Sequence, residues 1–251
     1  MRLGAVLAAA ALLAACDGQA RDPDTKRADP HSGFPAADRP VASIVSARWS
    51  TEEARDRMKE ADQVMNLAGI KRGMTVADIG AGEGYYTIRL GQRVGKDGRV
   101  VAEDIVPQVI ERLGERVVRE RLANVSVRLG LPADPRLPER SFDRVLMVHM
   151  YHEIESPYEF LWRLRPSLAP EGQVVVVDAN RPTEQHGTPP DLLQCEFAAA
   201  GYRQVSMRQM PSAGGYLAIF RAEGERPEPM MIKACRSGAR ATPAAMQQGS
   251  E

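Results

Sequence analysis

Residues 75–84 read Thr-Val-Ala-Asp-Ile-Gly-Ala-Gly-Glu-Gly, an acid inside an apolar run followed by three glycines at alternate positions. Gly80, Gly82 and Gly84 permit positive φ and let a ligand approach the main chain. The free amides where the next helix starts then face the ligand's polar groups. Asp104 lies 20 residues after Gly84, at the end of a second apolar run. An acid at that remove can accept hydrogen bonds from ribose hydroxyls; its neighbour Glu103 is the lesser candidate. The stretch His149-Met150-Tyr151-His152-Glu153 holds the candidates for a catalytic base, since imidazole takes up a proton near neutral pH. His149 is expected to line the pocket and His152 to orient the loop that follows. His-x-x-His with Glu153 also has metal-ligand types, but no further ligand is fixed by spacing, and no metal is assigned. Tyr85, Arg181 and His186 are placed on the substrate side; Arg181 could hold a carboxylate or phosphate.

The elements that must position these groups alternate. A helix is expected from Ser50, with Glu53 completing a capping box and Met58, Ala61, Met65 and Ala68 on one face before Gly69. Strands follow at 75–79, 99–104, 125–129, 142–148 and 174–177, with helices near 84–94, 107–117, 156–168 and 190–200, and two last strands near 202–208 and 215–221. Strands alternating with helices predict a doubly wound, mostly parallel sheet, with ligands at the carboxyl ends of the strands.

The glycine spacing is G-x-G-x-G, with Tyr85 next, and so departs from the dinucleotide fingerprint G-x-G-x-x-G. The motif acid-x-G-x-G-x-G resembles the first motif of the class I S-adenosylmethionine-dependent methyltransferases. Phe142-Asp143-Arg144-Val145 is similar to that family's F-D-x-V strand. Leu164–Gly172 is similar to its L-x-P-G-G segment, with Glu171 in place of the first glycine, and Ala199–Tyr202 to its A-G-F turn. The resemblance covers roughly residues 50–222. It implies a single α/β domain with a Rossmann-like seven-stranded sheet, the last strand antiparallel, and a bound S-adenosylmethionine. It implies further that Asp78 faces the methionine ammonium, that Asp104 takes the ribose and that Ile105 packs on the adenine. Asp134 stands near the place of the acid that accepts from the adenine amino group, but is displaced in Gly130-Leu-Pro-Ala-Asp134; a turn role before Pro135 is the equal alternative. Methyl transfer from a sulfonium needs alignment more than a base, so the lack of a catalytic triad is no objection.

The chain opens with Met1-Arg2 and an uncharged apolar run, Leu3 to Ala15, closed by Leu13-Ala14-Ala15-Cys16. The run is too short to span a bilayer comfortably and reads as a secretory signal; its end resembles the lipobox of bacterial lipoproteins, which implies cleavage before Cys16 and a lipid anchor on it. The expected organisation is a signal peptide at 1–15, a flexible tether at 16–40, a domain at 41–222 and a mostly disordered tail at 223–251, of which Met230-Met231-Ile232 could dock back onto the body. The location is then membrane-anchored on the periplasmic side, or cytoplasmic if the signal is not used. That location conflicts with a cofactor made in the cytosol. Lys plus Arg equals Asp plus Glu at 33 each, and with no basic stripe nucleic acid is a poor partner. Cys195 and Cys235 could pair in an oxidising compartment or remain buried thiols. The reading is methyl transfer to a small-molecule acceptor. The alternative is a catalytically inactive lipoprotein of the same fold that binds a ligand or an envelope partner. Acceptor and oligomeric state are not readable.

Overall fold

In a computed structural model, which describes residues 33–44 and 51–236, strands β1 (Thr75–Ile79), β2 (Arg99–Asp104), β3 (Val125–Leu129), β4 (Phe142–Val148), β5 (Leu168–Asp178), β6 (Tyr202–Met210) and β7 (Gly215–Ala222) form one sheet in the order β3-β2-β1-β4-β5-β7-β6. β7 alone runs antiparallel to its neighbours; the other pairings are parallel. Parallel strands are covered on both faces, which is why β1 and the Val174–Val177 part of β5 are apolar and buried. This is the expected α/β class and doubly wound sheet.

Helices α1 (Glu52–Arg57), α2 (Glu60–Leu67), α3 (Tyr85–Val94), α4 (Pro107–Arg119), α5 (Pro157–Leu164) and α6 (Pro190–Ala199) complete the fold. One core lies on the side of α2 and α3, with Val64, Met65, Tyr86 and Leu90 against Leu146 and Val175. The other lies on the side of α5 and α6, with Leu161, Phe197 and Tyr151 against Val145, Val176 and Phe220. Phe197 stacks on Phe220 at 3.9 Å between ring centroids.

Three expectations need correction. The single helix from Ser50 to Gly69 is two helices. Thr51, rather than Ser50, caps α1, its hydroxyl accepting from the Ala54 amide at 3.2 Å. Lys59 then takes a left-handed φ of 53° and restarts the chain as α2. Met58 falls at this break and is exposed. Second, the tether is not free through residue 40. The Arg39 guanidinium meets Glu196 Oε1 at 2.8 Å with both side chains fully buried, and also donates to the carbonyls of His152 and Ile154. A buried charge pair holds when further hydrogen bonds satisfy it, and Tyr151 Oη donates to the other Glu196 oxygen at 2.8 Å. Third, residues 223–236 are docked. Cys235 forms a disulfide with Cys195, Ile232 packs against Tyr158 and Leu192, and Trp162 Nε1 donates to the Pro227 carbonyl at 2.8 Å. Composition suggested a disordered segment because its few apolar residues are spread thinly; Ile232 and Cys235 nonetheless bury against α5 and α6, while Met230 and Met231 stay exposed. Cys16, Trp49, Ser50 and the signal segment lie outside the described residues. Among the described residues no helix is long and apolar enough to cross a membrane.

Candidate functional site

β1 pairs with β2 on one side and β4 on the other, so the crossovers leave in opposite directions and open a cleft beyond the carboxyl ends of these strands. A cavity of about 730 Å³ occupies it, within the range of about 300–1,000 Å³ usual for small-molecule sites. Its wall holds Asp78, Gly80, Gly82, Glu103, Asp104 and Ile105 from the β1 and β2 ends, His149, Met150 and Glu153 from the β4 end, and Glu52, Glu53 and Arg55 of α1.

The turn after β1 has the conformation that its glycines allow. Gly80 and Gly82 sit at φ 65° and 54°. A Cβ at Gly80 would come within 2.9 Å of Met150 Cγ, whereas one at Gly82 would meet nothing within 4 Å and would stand in the cleft. Gly84 caps α3 at φ 89°, and its missing Cβ makes room for Leu113 of α4; it shapes the turn without lining the cavity.

The acids divide by surroundings. Asp78 is buried and accepts from the Thr87 hydroxyl at 2.6 Å; burial pushes its carboxyl up to about 6, with the Thr87 hydrogen bond opposing. Asp104 accepts the Gly82 amide on Oδ2 and the Val106 amide on Oδ1, each at 3.0 Å. It ties the two loops together and still has a second lone pair on each oxygen for a ligand. Glu103 is buried against Gly130. Burial and the neighbouring Asp104 lift it to about 8, and its Oε1 has no hydrogen-bond partner.

At the end of β4, His149 takes φ 55° and its amide donates to the Val177 carbonyl at 2.8 Å. Burial lowers its imidazole to about 4, so the ring is neutral at pH 7. A base that weak contributes little proton abstraction; a neutral, hydrogen-bonding wall is what the group provides. His152 does not line the cavity. It is buried behind it, Nδ1 at 3.0 Å from Asp178 Oδ1. This corrects its candidacy as a base: the ring stands off the cavity wall, with Nδ1 held by Asp178.

Tyr85 lines the cavity, its ring between the guanidinium groups of Arg55 and Arg89 at 3.8 and 3.9 Å from the centroid and its hydroxyl on Asp56 at 3.0 Å. Tyr86 donates to Glu60 at 2.9 Å. Three expected residues lie off the wall. Asp134 takes the turn role, accepting the Arg136 amide at 2.8 Å; Pro132 of the same loop reaches the cavity instead. Arg181 is exposed. His186 packs edge-on against His152. Sequence reasoning missed the α1 acids and Arg55, Met150 and the Asp178 support of His152, since spacing alone does not aim a helix before the sheet or a strand-end acid.

Residues 76–172 match the model of the family described as a methyltransferase domain. A structure described as a SAM dependent methyltransferase from Aquifex aeolicus superposes with a TM-score of 0.59 at 23% identity, over 68% of this chain and 97% of that one. The chain has the methyltransferase fold. Among curated proteins it is similar to an arsenite methyltransferase of Halobacterium salinarum, 29% identical over 53% of this chain and 35% of that one. It is also similar to a demethylmenaquinone methyltransferase of Geobacillus, 27% identical over 51% and 55%. The chain thus spans about a third to a half of these relatives. S-adenosylmethionine is the cofactor of such a methyltransferase domain, and the cleft fits it: Gly82 leaves open space where a side chain would stand, Asp104 keeps acceptor capacity beside it, and Asp78 lies on the wall where a cation can be held.

Proposed function

We propose that this chain is an S-adenosylmethionine-dependent methyltransferase acting on a small-molecule acceptor. The observation that carries the reading is the open face of Gly82 between Asp78 and Asp104 in a cleft at the junction of β1 and β4. Bound there, S-adenosylmethionine supplies a methyl group on a sulfonium. The Asp104 carboxylate would take ribose hydroxyls and Asp78 the ammonium, while Ile105 offers an apolar surface to the adenine. His149, Met150 and Tyr85 would hold the acceptor and exclude water, which is catalysis by alignment. Calorimetry on the full chain should show saturable binding of S-adenosylmethionine and none of NAD; no binding of either would favour the catalytically inactive reading.

The lipobox favours an anchored protein on the periplasmic side, and the Cys195–Cys235 disulfide supports an oxidising compartment. Replacing Cys16 with Ala should abolish incorporation of labelled fatty acid in cells. Label that persists in the variant, or never enters the wild type, would refute the anchor.

A further inference from the structure

His152 and Glu153 lie in the turn after β4, and His186 comes from the loop after β5. The ligand-capable atoms of these three side chains lie within 4.8 Å of one another, and the two imidazoles meet edge to face at 5.5 Å between centroids. His152 Nδ1 faces both oxygens of Asp178, at 3.0 and 3.1 Å. That carboxylate also accepts the Ala179 amide at 2.9 Å and the Thr188 hydroxyl at 2.7 Å. Surrounded by donors, Asp178 is an acceptor, so Nδ1 carries the hydrogen and Nε2 presents its lone pair. A carboxylate behind an imidazole fixes the tautomer in this way in metal sites. His186 is itself held at φ 57°, a conformation that is costly for a residue with a side chain and that clusters at ligand clamps. Its loop is pinned by the Thr188 amide on the Ala179 carbonyl at 2.9 Å.

We propose that His152, Glu153 and His186 bind a divalent transition-metal ion. Two imidazoles and one carboxylate suit zinc and its first-row neighbours better than magnesium or calcium, and leave open positions on the ion. Zn–N and Zn–O bonds of about 2.0–2.2 Å let ligand atoms up to about 4 Å apart share one ion, so small side-chain rotations close the site. His186 is the ligand that sequence spacing could not supply, which is why no metal was expected from His149, His152 and Glu153. Glu153 also lines the cleft, so the ion would stand at its edge, near His149 and Met150. Its use there rests on the methyl-transfer reading: an oxygen, sulfur or nitrogen of the acceptor would occupy an open position.

The test is titration of the full chain, disulfide intact and freed of metal by a chelator, with zinc by calorimetry and with cobalt by visible absorption. One equivalent should bind, cobalt should develop ligand-field bands, and His186→Ala and Glu153→Gln should each weaken zinc binding at least tenfold without changing the melting temperature of the metal-free protein. Absence of saturable binding, or wild-type affinity in His186→Ala, would overturn the proposal. S-adenosylmethionine titrated into the same metal-free chain separates the two readings. Cofactor binding without zinc binding ends only the metal site, and zinc binding without cofactor binding ends only the methyltransferase.

Discussion

Glu103 and Asp104 are neighbours in β2 with opposite surroundings. Asp104 receives two backbone amides, and replacing it with Ala should weaken S-adenosylmethionine binding by about 1.5–3 kcal/mol, the usual worth of hydrogen bonds to a charged group. Calorimetry of the variant reads this, and an unchanged affinity would remove Asp104 from the site. Glu103 has its carboxyl raised from 4.5 to about 8 by burial. A group raised on folding means that the native state holds more protons than the unfolded chain, so its contribution is complete below about pH 4.5 and is lost as pH rises through 8. Glu103→Gln removes this dependence. Urea unfolding should show the variant gaining on the wild type between pH 5 and 9, by about 2–4 kcal/mol at about 1.4 kcal/mol per pH unit with allowance for relaxation. Parallel stability curves would contradict the buried, protonated acid.

At the scale of elements, the turn between β1 and α3 divides conformational need from ligand need. A methyl group at Gly82 meets no protein atom, so Gly82→Ala should cost only about 1–2 kcal/mol of stability for its left-handed φ, yet should weaken cofactor binding beyond Asp104→Ala. Thermal unfolding and calorimetry on one sample separate the two effects; unaltered binding would place the cofactor elsewhere. Much of this scale was legible. Apolar runs such as Val174–Val177 announce buried parallel strands, and the glycine spacing announces the turn, because both are dictated locally by backbone geometry. The break at Lys59 was not legible, since it trades local helix propensity for the Arg55–Glu60 pairing at 2.6 Å and the Tyr86–Glu60 hydrogen bond. The same holds for His152: its spacing from His149 was visible, but its partner Asp178 is at the far end of another strand. Asp134 shows the converse, a sequence position near the right place whose side chain is taken up by the Arg136 amide of its own turn and by Arg163 of α5 at 3.7 Å.

Over the whole molecule, the segments flanking the sheet close together on α5 and α6. Asp38 pairs with Arg236 in a backbone bridge, Phe34 meets Trp162 edge-on at 5.5 Å, and the disulfide joins residues 40 apart in sequence. Cys235→Ser should therefore cost about 2–4 kcal/mol, the range for closing a loop of that length, seen as a lower urea midpoint; dithiothreitol should lower the wild type alike and leave the variant unmoved. An identical midpoint with and without reductant would contradict the crosslink. These flanks hold Glu196, Tyr151 and the His152 turn, through Arg39, from the side of α5 and α6. The most direct measurement is a crystal structure of the full chain grown with S-adenosylhomocysteine. The account predicts the ligand across Gly80 and Gly82 with its ribose hydroxyls on Asp104; an empty turn, or a ligand bound away from it, would contradict it.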